Sequence, residues 1–138
     1  MKYTDGQVID LSNTQAIQYQ KFEIPTNGYL MQPGEFLLGS TSETVKIPDD
    51  LMGWIETRGS LARIGIQAHL CDAHIDSGFR GQITLQLKNN ANHSVIIYPN
   101  FYIVKIYFFQ LSSRSEVRYK GRYQNQTGPT VPETPGAK

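Results

Sequence analysis

An acid on a tight turn and an amide on the strand that follows are the residues of this chain best spaced for chemistry. The stretch His74-Ile75-Asp76-Ser77-Gly78-Phe79-Arg80-Gly81 sets Asp76 on the turn, with Gly78 and Gly81 permitting close backbone approach. From there the chain alternates strictly: Ile83, Leu85 and Leu87 face one way, and Gln82, Thr84, Gln86 and Lys88 the other. The polar face carries Gln86 toward whatever sits above Asp76. A carboxylate and an amide fixed on neighbouring rigid elements can form a site. An Asp-Ser-Gly hairpin turn leading into a half-buried strand gives the same spacing without one. A second cluster lies upstream. Arg58-Gly59-Ser60-Leu61-Ala62-Arg63-Ile64-Gly65 reads as a helix start, a single turn and a glycine stop, and with Arg58 beside it the start would suit a phosphate. An ordinary connector with exposed arginines reads the same way.

Composition bounds what these residues can serve. A chain of 138 residues predicts one domain with a small core. The formal charge is +1, with Lys and Arg scattered, so there is no basic stripe for nucleic acid and no acidic tail. Cys71 is the one cysteine; it excludes an internal disulfide framework and fits a reducing, cytoplasmic compartment. No apolar run reaches transmembrane length and no signal peptide opens the chain, so no membrane partner is expected. His69, His74 and His93 lack metal-ligand spacing, and Cys71 reads as a small buried hydrophobe.

The elements that must position the site are short and turn-bounded. Strands are expected within Lys2 to Leu11, Ile17 to Ile24, Tyr29 to Gln32, Glu35 to Ser40, Ser42 to Ile47, Leu51 to Thr57 (with Trp54 in the core), Ile66 to Leu70 and the alternating run after Gly81. Pro48-Asp49-Asp50 could instead cap a helix, but its short neighbours favour a strand. Val95 to Tyr98 is expected to pair with Phe101 to Leu111 across Pro99-Asn100. The run Phe101 to Phe109, apolar on both faces, should be a central strand. After Ser112 the hydrophobic pattern fades, and Gly128, Pro129, Pro132, Pro135 and Gly136 mark a tail, mobile at its end. About ten short strands with frequent turns predict an all-β sandwich or barrel.

Several motifs occur in a particular order: Pro33-Gly34-Glu35-Phe36-Leu37-Leu38, Ile47-Pro48-Asp49-Asp50-Leu51, the Arg58–Gly65 cluster, Ile75-Asp76-Ser77-Gly78-Phe79-Arg80-Gly81, and Tyr123-Gln124-Asn125-Gln126-Thr127-Gly128-Pro129. Over roughly residues 30–130 the chain resembles the dCTP deaminase and dUTPase superfamily, and the dCTP deaminase branch more closely. The resemblance implies a distorted jelly-roll, a β-clip barrel of the dUTPase-like type over residues 1–111, assembled as a homotrimer. A tail over residues 112–138 would close over a deoxynucleoside triphosphate at the subunit boundary. By the same resemblance Arg58, Gly59 and Ser60 fall in the phosphate-binding motif and Arg63 beside the deaminase reaction centre. Asp76 matches an acid that positions the attacking water in dUTPases, and Phe79 an aromatic that packs on the deoxyribose. Backbone groups near Ala73 and His74 would meet the base edge, Arg122 the triphosphate, and Gln126 the nucleotide. Mg²⁺ would arrive with the phosphates.

Three departures from that pattern matter. Gln86 stands where dCTP deaminases carry a catalytic glutamate, and Gly59 where they usually carry a serine. The early Asp-Leu-Arg-like motif is missing, Asp10-Leu11-Ser12 being a poor candidate. The glycine-rich dUTPase tail with its stacking Phe is absent too. Deamination at C4 needs a group that takes a proton from water and returns one to ammonia; a carboxylate cycles so, a neutral amide does not. A zinc route lacks its His-x-Glu and Cys-x-x-Cys residues. Gln86 can still hydrogen-bond a base: its donor and acceptor match the O4 and N3–H edge of uracil, and a flipped amide matches cytosine equally well, so the residue alone does not decide the base. Hydrolysis of a phosphate anhydride needs a positioned water, a base and positive charge, which Asp76, Arg58, Ser60, Arg122 and Mg²⁺ could supply. Three readings follow: dUTP diphosphatase first, then dCTP deaminase with an altered proton carrier, then a non-catalytic nucleotide-binding or structural trimer.

Overall fold

The alternation after Gly81 forms the longest regular part of one sheet. In the computed structural model, which describes residues 1–133, β8 (Arg80–Asn89) buries Gly81, Ile83, Leu85, Leu87 and Asn89 and leaves the intervening residues half-buried. It lies between β4 (Phe36–Lys46) and β6 (Ile66–Gln67), antiparallel to both. The expected strands Glu35 to Ser40 and Ser42 to Ile47 are one strand, β4, whose register against β8 shifts between Ser40 and Thr44. A bulge of this kind bends a strand without ending it.

A second sheet sets β5 (Leu51–Thr57) between β7 (His74–Ile75) and β10 (Val104–Gln110). Leu37, Ile83, Leu85 and Leu87 from the first sheet and Ile55 and Ile75 from the second share one core with Ile47, Ile66, Phe79 and Ile97. Two ribbons complete the strands: β1 (Lys2–Tyr3) with β2 (Tyr19–Gln20), and β3 (Tyr29–Met31) with β9 (Val95–Ile97). The one α-helix among the described residues is the expected turn, α1 (Gly59–Ala62). The fold is therefore all-β, a distorted jelly-roll with ten strands among the described residues. No helix among the described residues is long and apolar enough to cross a membrane.

Several expectations are corrected. β9 pairs with β3, not with β10, and β10 is an edge strand rather than a central one. Val104 and Ile106 are half-buried and pack against the core, but Phe108 is 56% exposed, and Tyr107 and Phe109 are exposed beside it. Apolarity on both faces of a run does not by itself place it at the centre of a sheet. Trp54, paired with Tyr107, is 39% exposed instead of buried, and its indole N–H donates to Glu56 Oε1 at 2.9 Å. Cys71 is exposed. β1, β2 and β6 each keep only two residues of their longer expected strands.

The segment after β10 packs on its own chain as far as it is described. Tyr119 N–H donates to Ser77 O at 2.8 Å, Asn125 N–H to Arg80 O at 2.7 Å, and Gln82 N–H to Gln126 O at 3.0 Å. Arg118 clamps Asp49 at 2.5 Å, and that guanidinium holds the Asp49 carboxyl below its usual range. The mobility expected at Pro135 and Gly136 concerns positions outside the described residues.

Candidate active site

Three elements bring the two chemical residues of the turn and strand to one cavity of about 360 Å³. β7 delivers His74, the turn after it delivers Asp76 and Phe79, and the polar face of β8 delivers Thr84 and Gln86. The tail supplies Tyr119, Tyr123, Gln126 and Thr130 to the same wall. The turn exists because Phe79 N–H donates to Asp76 O at 3.1 Å while Gly78, at φ 86°, takes the left-handed conformation that other residues avoid. Asp76 is thereby held in the cavity lining with its side chain half exposed, 3.6 Å from His74 Nδ1.

Gln86 does not reach over Asp76 unengaged. Its Oε1 accepts from the backbone N–H of Leu70 at 3.0 Å and of Cys71 at 3.1 Å, so the amide ties β8 to the loop that leads into β7. The rest of the polar face is engaged as well. Gln82 Oε1 accepts from Gly128 N–H at 2.6 Å, Gln82 O accepts from Gln126 Nε2 at 2.7 Å, and Thr84 Oγ1 lies 3.2 Å from Thr130 Oγ1. The tail therefore docks on β8 through Gln82 and Thr84, and Gln86 is the next polar residue in the row. The close approach at the two glycines is made by this same tail: a Cβ on Gly78 would lie 2.7 Å from Arg118 Cβ, and one on Gly81 would lie 3.1 Å from the Gln126 backbone.

The remaining expected residues divide. Phe79 is buried, lines the cavity and meets Tyr119 edge-on at 5.7 Å between ring centroids. Gln126 lines the cavity, with its Oε1 accepting from Thr130 at 2.8 Å. Ala73 is buried beside the cavity without lining it, and its carbonyl accepts from Ile55 N–H at 2.8 Å. Arg58, Gly59, Ser60 and Arg63 lie at α1 and do not line the cavity; Arg58 sits over the Tyr102 ring at 5.8 Å. Arg122 is likewise outside it, donating to Glu133 O at 3.1 Å.

Asp72, Tyr3 and Thr130 line the cavity without having been singled out from the sequence. Asp72 is visible only once the loop before β7 is known to face inward. The four-residue spacing of Tyr119 and Tyr123, the two tail aromatics that do pack, was a signal that the segment after Ser112 is not free. Burial pushes the Tyr3 phenol up, with the nearby Tyr123 adding to it, so Tyr3 presents a protonated hydroxyl. Among its described lining residues the cavity has the carboxylates Asp72 and Asp76 and no Lys or Arg.

The comparisons fit this geometry. The dCTP deaminase-like family model matches residues 1–111. A "dCTP deaminase, dUMP-forming" of Dictyoglomus thermophilum is 46% identical over 107 residues, covering 75% of this chain and 55% of the relative. One of the same name from Beutenbergia cavernae is 40% identical over 130 residues, covering 90% and 68%. Against the first of these relatives the chain spans just over half of the relative's length. Among solved structures, the native EIAV dUTPase matches with a TM-score of 0.56 and 17% identity over 72% of this chain and 80% of that one, a likeness of fold.

Proposed function

The chain belongs to the dCTP deaminase-like family, and from that premise we propose that it binds a pyrimidine deoxynucleoside triphosphate and hydrolyses dUTP to dUMP and pyrophosphate. The observation that carries the reading is the pairing inside one cavity of a half-exposed carboxylate, Asp76, with a neutral amide, Gln86, whose oxygen is already occupied. Hydrolysis needs a base to take a proton from water, and Asp76 is that base. Deamination needs a proton carrier beside the ring, and an amide tethered by two N–H groups is not one. The curated relatives carry the name of a reaction that ends at dUMP; this chain keeps the hydrolytic half of such a conversion. The donor set also suits Mg²⁺, which prefers hard oxygen: Asp72 and Asp76 stand where they could meet a cation held by the phosphates, whose charge it would offset.

The described lining lacks the positive charge that phosphoryl transfer requires. Arg58, Ser60 and Arg63 on α1 supply it from another subunit, and the uncovered aromatic face of β10 is the surface through which copies associate, as a homotrimer. The site is complete only in that assembly.

A second reading, conversion of dCTP to dUMP through deamination, is favoured by the printed names of the relatives. Incubation with each deoxynucleoside triphosphate and Mg²⁺, following pyrophosphate and ammonia separately, distinguishes the two. Pyrophosphate from dUTP without ammonia from dCTP is the expected result. Ammonia from dCTP supports the second reading, and no pyrophosphate from any deoxynucleotide overturns the hydrolase and leaves a binding trimer.

A further inference from the structure

We propose that Gln86 selects the base by presenting a fixed N–H donor to the cavity, so that the site takes a pyrimidine with a carbonyl at position 4 and rejects one with an amino group there. The inference rests on the deoxynucleotide reading above and adds what that reading leaves open, the identity of the base edge.

The argument starts from the two backbone donors. Leu70 N–H and Cys71 N–H converge on one side-chain atom of Gln86, at 3.0 and 3.1 Å. Only the oxygen can accept them. Turning the amide over would set its NH₂ against two N–H groups, donor against donors, and leave all of them unpaired. The loop therefore fixes which way the amide points, and the nitrogen takes the other direction. Nε2 is not among the buried side-chain atoms lacking a partner, and the residue lines the cavity, so this donor faces accessible space.

The rest of the lining says which part of a nucleotide meets it. No Lys or Arg is among the described lining residues, so the wall beside Gln86 offers nothing to hold a bare phosphate. Phe79, Tyr119 and Ile55 line the same cavity and give it an apolar wall. A neutral ring belongs there, and its exocyclic group meets Nε2. A carbonyl oxygen accepts that hydrogen bond. An exocyclic amino group instead puts N–H against N–H, and both lose their partners. A glutamate at the same position would reverse the sense: one oxygen would hold Leu70 and Cys71, and the other would accept from an amino group.

Calorimetric binding by the full chain of the non-hydrolysable α,β-imido analogues of dUTP and dCTP tests this. The wild-type protein is expected to bind the uracil analogue about tenfold or more tighter than the cytosine analogue, the usual consequence of a mispaired polar contact. Gln86→Glu is expected to lower that ratio about tenfold or more. A third ligand, the triphosphate analogue carrying pyrimidin-2-one, lacks the position-4 oxygen and is expected to bind wild type about tenfold more weakly than the uracil analogue. This arm needs no variant and decides the matter if Gln86→Glu does not fold. Equal binding of the uracil and pyrimidin-2-one analogues overturns the inference, as does an unchanged ratio in a cooperatively folded Gln86→Glu. Failure of all three analogues to bind removes the deoxynucleotide reading itself, and this inference with it.

Discussion

Gly78 lies directly beneath Tyr119. A Cβ on the glycine would stand 3.0 Å from the Tyr119 backbone nitrogen, which donates to Ser77 O at 2.8 Å, and 2.7 Å from Arg118 Cβ. The turn that presents Asp76 and the segment that walls the cavity thus share one backbone contact. With φ at 86°, Gly78→Ala meets both a disfavoured conformation and a clash. We expect it to destabilise the fold by about 1–3 kcal/mol in urea titration. Gly34→Ala is the control: its φ is 75°, but a Cβ there meets nothing within 4 Å. It should show the conformational cost alone, and equal losses in the two variants would mean that the tail contact contributes nothing.

Asp76→Asn keeps the size of the side chain and removes the base. Pyrophosphate release from dUTP should fall by about 10²–10⁴ in rate, the ordinary effect of losing a positioned base. Binding of the imido analogue of dUTP should stay within a few-fold of wild type. An Asp76→Asn protein with undiminished turnover would assign the base elsewhere, and Asp72 would be the next carboxylate to replace.

The aromatic edge predicts the state of assembly. Light scattering at micromolar concentration should give three times the chain mass for wild type. Phe108→Asp puts a charge on a residue already 56% exposed, so the subunit should still fold while the trimer dissociates. Pyrophosphate release should vanish with the trimer, because α1 and the cavity of one chain do not meet. A monomeric wild type would remove both expectations.

Much of this architecture was legible in the residues, and the parts that were not have physical causes. β8 was readable because alternation is a local property: Ile83, Leu85 and Leu87 cannot all be buried in any other register. β10 lies at an edge although Phe101 to Phe109 reads as central, because that run reports how much apolar surface the segment carries and not which strand lies beside it. How the tail docks on its own chain was not legible, because beyond the packed Tyr119 and Tyr123 it is held by amides and hydroxyls, Gln82 with Gly128 and Thr84 with Thr130, to which hydropathy is blind. Gln86 could be set on the correct face, yet the direction of its amide depends on two N–H groups of a loop upstream, and no pattern within β8 reports them.

A half-buried acid gives the fold a pH signature away from the cavity. Burial pushes the Glu35 carboxyl up, but the Tyr29 hydroxyl at 2.6 Å, the Gln32 N–H at 2.8 Å and the Lys2 ammonium at 3.1 Å together hold it below its ordinary value. Its stabilising contribution is therefore complete above the ordinary carboxylate value of 4.5 and is lost as pH falls through the lowered folded value. Tyr29, pushed up to about 12 by burial and by Glu35, gives the opposite edge: its contribution is present below 10.0 and lost as pH rises toward the folded value. Glu35→Gln should cost stability at neutral pH, and the deficit should close as the solution is acidified through the carboxylate range. A deficit that stays constant with pH would mean that the charge of Glu35 does not contribute.

Deamination is the sharpest test of the chemistry at Gln86. The native protein should release no ammonia from dCTP, since the amide offers no proton exchange near neutral pH and its oxygen is held by Leu70 and Cys71. Gln86→Glu restores a carboxylate that can keep the same two N–H groups on one oxygen and leave the other to face the ring. By resemblance the family also places a serine where this chain has Gly59, and a Cβ at Gly59 meets nothing within 4 Å, so Gly59→Ser is sterically free. The double change should therefore give a trace of ammonia from dCTP, with Arg63 still in place. Gln86→Glu alone should give less than half of that, because groups acting on one water are strongly non-additive. Ammonia release by the unmodified chain, abolished by Gln86→Ala, would show that the amide site has another proton carrier. His74, whose Nδ1 stands 3.6 Å from Asp76 in the same cavity, is then the residue to replace first.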